Sequence, residues 1–266
     1  MNPRGTRRRE NPASTKPRAF QEANSITQRT AGAHFPAVKT LAEFNCDHQP
    51  SLRRDVLGHL ATAAWVSRAE NVVVLGPPGT GKTHLGIGLG VAAVHAGHKV
   101  LFDSAAGWIR RLSDAYRGGN GALDAELRKL ARYKLLIIDE VGYIPIGPHA
   151  ANLFFQLIAA RYETGSVLVT SNMPFKRWGE IFGDEVVAAA MIDRLVHHAE
   201  VIALSGESYR TRARRAAISA DPAAAMRATP TPAPVAVPAT AVVPAGAPGG
   251  TGQTSQASAA GLEGQR

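Results

Sequence analysis

Val72-Val73-Val74-Leu75-Gly76-Pro77-Pro78-Gly79-Thr80-Gly81-Lys82-Thr83 decides the fold. Four apolar residues in a row read as a strand buried on both faces. They run into a glycine-rich turn that satisfies G-x-x-x-x-G-K-[ST] in full, and a helix is expected after Gly81. A strand, a turn and a helix N-terminus in this order aim several backbone N–H groups at one point. The helix end adds partial positive charge there. Such a cradle suits the phosphates of a nucleoside triphosphate. Gly76, Pro77, Pro78, Gly79, Thr80, Gly81, Lys82, Thr83 and the adjoining His84 are therefore the expected nucleotide contacts.

Outward from this loop the pattern alternates strand and helix. Strands are predicted at residues 72–75, 99–103, 135–139, 167–170 and 199–203. Helices are predicted after Gly81 and over 105–116, 123–132, 150–162 and 185–197. This alternation means a parallel β-sheet flanked by helices, a three-layer α/β architecture. The helix after the loop carries Gly86, Gly88 and Gly90, each costing about 1 kcal/mol relative to alanine. Close packing of that helix on the sheet is the expected reason. Ser51 is placed to cap a helix running to about Ala69, with Leu52, Val56, Leu57, Leu60, Ala64 and Trp65 at helical spacing. The predicted layout is a disordered basic arm over 1–33, a lead-in and helix over 34–70, a nucleotide-binding domain over 71–215, and a disordered Ala/Pro-rich tail over 216–266.

The second half of the site is Leu135-Leu136-Ile137-Ile138-Asp139-Glu140. A parallel strand delivers its C-terminal end to the same sheet edge as the loop. Asp139 then stands beside the Thr83 hydroxyl, where the two suit Mg²⁺. Glu140 can polarise a water for attack on the γ-phosphate. Val167-Leu168-Val169-Thr170-Ser171-Asn172 is a further buried strand with a polar end. Asn172 reads either as a partner for that water or a γ-phosphate oxygen, or as a turn residue before Pro174. His197-His198 shows no third ligand at metal spacing, and no metal is expected there. Trp108, Tyr116 and Trp178 read as packing residues. Arg110, Arg111 and Arg117 read as a solvated helix face.

The net charge of +9 is unevenly placed. Residues 41–204 hold sixteen basic and sixteen acidic side chains, whereas residues 1–40 carry +6 and residues 205–215 carry +3. Basic arms flanking a neutral module suit a nucleic-acid backbone, with strong salt dependence. The single cysteine, Cys46, excludes an internal disulfide and a thiolate metal cluster. It points to a reducing, cytoplasmic setting. No apolar stretch approaches the ~20 residues of a membrane span. No apolar segment follows Arg7-Arg8-Arg9, so no signal peptide is expected.

Five ordered blocks, GPPGTGKTHL (76–85), LLIIDEVGY (135–143), VTSNMPF-x-x-W (169–178), MIDRL (191–195) and GESYR (206–210), resemble the IstB-like ATPases. These are helpers of bacterial insertion-sequence transposition, related to the DnaC helicase loaders within the AAA+ class. The resemblance runs from about Phe35 to Arg215. It implies an AAA+ core that binds and hydrolyses ATP with Mg²⁺, assembles as an ATP-dependent homo-oligomer on duplex DNA, and recruits a transposase. It assigns Lys82 and Thr83 to phosphate and magnesium, Asp139 and Glu140 to metal and water, and Asn172 to the polar sensor. Arg194 resembles an arginine finger reaching a neighbouring subunit. From the residues alone it is a helix-surface arginine or half of an internal ion pair. Arg210 resembles a second sensor arginine, or is simply part of the basic strip. Three other readings stand beside the transposition helper. They are a helicase loader, a non-catalytic ATP-gated DNA-binding switch, and a small-molecule kinase that Asp139-Glu140 disfavours.

Overall fold

The computed structural model describes residues 18–209 and residue 211. The readings for residues 1–17, for Arg210 and for the 216–266 tail lie outside the described residues. Five strands form one parallel sheet: β1 (Asn71–Leu75), β2 (Val100–Ser104), β3 (Leu135–Val141), β4 (Ser166–Ser171) and β5 (Ala199–Ala203). Their order is β2-β3-β4-β1-β5. Each corresponds to a predicted strand, with ends shifted by at most two residues.

The unbroken apolar runs follow from two cores, one on each face. Val72 and Val74 join Leu135, Ile137 and Leu168 on one side. Val73 joins Leu136, Ile138, Val167 and Val169 on the other. Alternate strand residues point to opposite faces, so a strand covered on both sides must be apolar throughout. The first face is covered by α1 (Arg18–Gly32), α2 (Arg54–Ala61), α3 (Ala64–Ser67) and α4 (Lys82–His95). The second is covered by α5 (Ala105–Arg117), α6 (Ala122–Leu130), α7 (Pro148–Arg161), α8 (Trp178–Phe182) and α9 (Glu185–Val196). The edge strand β5 buries Ile202 and exposes Glu200, a charge that discourages further strand pairing.

α4 lies close to the sheet because of its glycines. A Cβ at Gly86 would sit 3.2 Å from Leu168 Cδ2, and one at Gly90 2.6 Å from Ile137 Cδ1 and 2.9 Å from the Phe35 ring. Gly88 instead faces the lead-in, where a Cβ would meet Leu41 Cδ2 at 2.7 Å. The expected sheet packing therefore accounts for two of the three glycines.

Four sequence expectations need correction. Residues 18–32, read as part of a disordered arm, form α1, whose Ile26 packs on the first core. The chain then buries Ala33, whose carbonyl accepts the Phe102 N–H at 2.9 Å on β2. One weakly apolar helix suffices because a preformed sheet face and α4 receive it.

The single helix predicted from Ser51 to Ala69 is two helices. They part at Ala63, which takes a left-handed φ of 55°. The buried Trp65 indole donates to Leu60 O at 3.0 Å, occupying a carbonyl that a continuous helix would give to Ala64 N–H. Ser51 caps neither helix. Its hydroxyl donates to Gln49 Oε1 and accepts the Ser205 N–H.

Trp108 and Trp178 are buried as expected, their indoles donating to Ile137 O and Met173 O. Tyr116 is not a core residue. It is 52% exposed and meets His149 edge-on. On the α5 surface Arg111 pairs with Glu126 and Arg117 with Asp114.

Candidate functional site

The loop between β1 and α4 has the backbone its sequence requires. Gly79 and Gly81 take φ of 81° and 95°, a region that side chains with a Cβ avoid. A Cβ at Gly79 would also strike Ser208 Oγ at 2.1 Å. The segment after β5 is thus laid directly on the loop, and Tyr209 N–H donates to Gly79 O at 2.9 Å. Within the loop, Thr80 Oγ1 and Lys82 Nζ both donate to Pro77 O at 2.8 Å. Lys82 is 8% exposed, so its ammonium is held inside the loop rather than in solvent.

Across the sheet edge, β3 and β4 pair in register to Ile138 and Val169, and resume at Val141 and Ser171. Asp139 and Glu140 therefore share the position opposite Thr170, a bulge of one extra residue. In a regular strand two successive carboxylates would face opposite sides of the sheet. The bulge instead buries Asp139 at 4% exposure, leaves Glu140 exposed, and gives Glu140 a φ of 63°. A left-handed residue other than glycine costs about 1–3 kcal/mol, so its surroundings must hold it there.

Thr83 Oγ1 donates to both Asp139 oxygens, at 2.9 and 3.1 Å. Thr170 Oγ1 donates to Asp139 Oδ1 at 2.5 Å and accepts the Glu140 N–H at 3.0 Å. The donors at this corner are hydroxyl and carboxylate oxygens. That set fits a hard cation such as Mg²⁺ better than a soft transition metal.

Lys82, Thr83 and Glu140 line one cleft of about 470 Å³, together with Gly79, Thr80, Gly81 and His84. The opposite wall was missed from the sequence. Phe44, Asn45, His48 and Gln49 lie in or directly beside two 3-10 turns, Leu41–Glu43 and Cys46–His48. Gln49 is buried, and its Nε2 donates to Thr80 O at 3.0 Å, tying the lead-in to the loop. Asn45 Oδ1 accepts from Asp47 and His48 N–H and so fixes the second turn. The His84 ring meets Phe44 edge-on and lies 3.0 Å from Thr40 O, which places it in the wall. Thr40 N–H in turn bonds Glu43, holding that carboxyl below its usual pKa. Short polar turns show no hydrophobic period. Only the Asn45 cap preference hinted at this structure.

Asn172 follows β4, and its buried Oδ1 has no hydrogen-bond partner among the described residues. Asn172 does not line the cleft, and its unpaired amide oxygen carries the cost of an unsatisfied buried acceptor. Arg194 does not line the cleft. Its Nη1 donates to Ala190 O at 2.9 Å and its guanidinium lies 4.8 Å from the Phe155 ring centre. Neither sequence alternative is met in full, since it is half-buried and bonded to its own helix rather than to a carboxylate. Tertiary structure also changes the reading of His197-His198. Glu163 lies 3.9 and 3.8 Å from the two rings, a third group that spacing did not reveal. All three are exposed, and Tyr162 OH already lies 2.9 Å from His197 Nδ1.

A parallel sheet in this order, with a phosphate-type loop after β1 and an acidic pair at the end of β3, defines a P-loop NTPase fold of the AAA+ class. The chain belongs to the IstB-like ATP binding protein family, which it matches over residues 15–217. The match takes in α1, extending the resemblance upstream of Phe35. The chain is 47% identical over 192 residues to the insertion sequence IS21 ATP-binding protein of Pseudomonas aeruginosa, covering 72% of each chain. It is 42% identical over 195 residues to the insertion sequence IS5376 ATP-binding protein of Geobacillus stearothermophilus, covering 73% of this chain and 77% of the other. Among solved structures it resembles AMPPCP-bound DnaA from Aquifex aeolicus with a TM-score of 0.52. That likeness is one of fold. Identity is 16%, and the match spans 70% of this chain and 56% of that one.

Proposed function

We propose that this chain is an ATP-dependent helper of transposition, which hydrolyses ATP while assembled on duplex DNA and recruits a transposase. The observation that carries the reading is that Lys82, Thr83 and Glu140 line a single cleft with Asp139 bonded to Thr83 behind it. Gly76 to His84 wrap the phosphates, and Lys82 leaves Pro77 O for their charge. Thr83 and Asp139 would hold Mg²⁺. When bound, that ion would neutralise negative charge on the nucleotide. Glu140 orients and deprotonates the attacking water, and Asn172 serves as the polar sensor once its side chain turns from its buried position toward the cleft.

Arg194 acts from a neighbouring subunit of a homo-oligomer. To do so it must release Ala190 O and Phe155 on assembly. Arg210 adds a second cation to the nucleotide. The basic excess over residues 1–40 and 205–215 supports DNA as the partner. The insertion-sequence relatives support transposition in the bacterial cytoplasm. Among the described residues no helix is long and apolar enough to cross a membrane.

The deciding experiment measures phosphate release from ATP with magnesium, with and without duplex DNA, alongside mass by light scattering. The reading expects turnover that DNA changes and an ATP-dependent gain in mass. A well-folded preparation that retains no adenine nucleotide would end it.

A further inference from the structure

We infer that Thr170 is a positioning residue that sets both acidic side chains of the site through one hydroxyl. The inference rests on the hydrolytic reading above and deepens it. Thr170 closes β4, is 1% exposed, and stands opposite the bulge. Its hydroxyl proton goes to Asp139 Oδ1 and its lone pair takes the Glu140 N–H.

These two bonds do different things. The first bonds Asp139 Oδ1, an oxygen that Thr83 also bonds, so two hydroxyls hold the carboxylate in one rotamer for a cation. The second occupies the amide that the bulge takes out of the sheet ladder, and so holds Glu140 in its left-handed turn. Without that turn Glu140 would return to the strand alternation and leave the cleft. A hydroxyl is required because one atom must donate to a carboxylate and accept from an amide, which neither an ammonium nor a methyl can do. Ser171, the next residue, cannot substitute. Its hydroxyl donates to Val141 O and accepts the Met173 N–H, on the far side of the bulge.

The test compares full-length wild type, Thr170→Val and Thr170→Ser. Valine keeps the branched shape and loses both bonds, while serine keeps the hydroxyl. Binding of a fluorescent ATP analogue is measured first in EDTA and then across a magnesium titration, and turnover is measured separately. In EDTA all three should bind alike. With magnesium, Thr170→Val should need about tenfold more metal for the same affinity, as expected for a buried hydrogen bond lost from a charged group. Its kcat should fall at least as far with little change in KM, and Thr170→Ser should recover both. If valine prevents folding, Thr170→Ala takes its place.

A Thr170→Val protein with wild-type magnesium dependence overturns the inference. So does a serine variant as impaired as the valine one, or a wild type whose nucleotide affinity ignores magnesium. A chain that binds the magnesium nucleotide and never hydrolyses it would sink the hydrolytic reading instead. The metal titration would still decide Thr170.

Discussion

Lys82 and Glu140 meet in one cleft but should fail differently when changed. Lys82→Ala removes the only ammonium held inside the phosphate loop, and should weaken ATP analogue binding at least about tenfold. Glu140→Gln keeps shape and hydrogen bonding while removing the base. Binding should stay within about twofold, while phosphate release falls by about 10²–10⁴-fold. Equal loss of binding in both variants would contradict the division of roles.

Away from the cleft, burial lowers the pKa of His98, and nearby Lys134 lowers it further. The unfolded chain then takes up this proton before the folded one does. Stability should fall as pH drops below about 6.5 and level off once the folded ring is charged. Urea midpoints between pH 7.5 and 5 should decline less steeply in His98→Gln than in wild type.

Among the elements, α4 and α2 make opposite predictions for the same substitution. Gly90→Ala gains about 1 kcal/mol of helix propensity, but it forces a methyl into Ile137 and Phe35, at about 1–3 kcal/mol. Its melting temperature should drop. Gly58→Ala, at an exposed position of α2 with nothing within 4 Å of the new methyl, should gain about 0.5–1 kcal/mol. Thermal unfolding of the two variants checks both signs.

The strands and the longer helices of the second face were legible because burial on two sides, or on one stripe, leaves a period in the sequence. The α2–α3 break was not, because it depends on where the Trp65 indole finds an acceptor. α1 was not, because its few apolar residues gain a partner only once the sheet exists. At the site, the phosphate loop and Asp139-Glu140 were legible as contiguous strings. Thr170 and Gln49 were not, since each matters through a partner distant in sequence.

At the scale of the whole molecule, the arginine proposed to act between subunits is engaged within its own helix. Arg194→Ala should therefore leave the single chain folded and able to bind nucleotide, while abolishing the ATP-dependent gain in mass and the turnover that follows from it. Light scattering with and without ATP reads this directly, and unchanged assembly would refute the shared site. DNA association should weaken steeply with salt, since the net positive charge lies outside the balanced 41–204 module.

Gln49 has a practical consequence. A fragment cut to begin at β1 would retain every signature string and still be deprived of the Phe44, Asn45, His48 and Gln49 side of its cleft. Poor activity in such a trimmed version would report a missing wall of the cleft, and would say nothing against the chemistry at the phosphates.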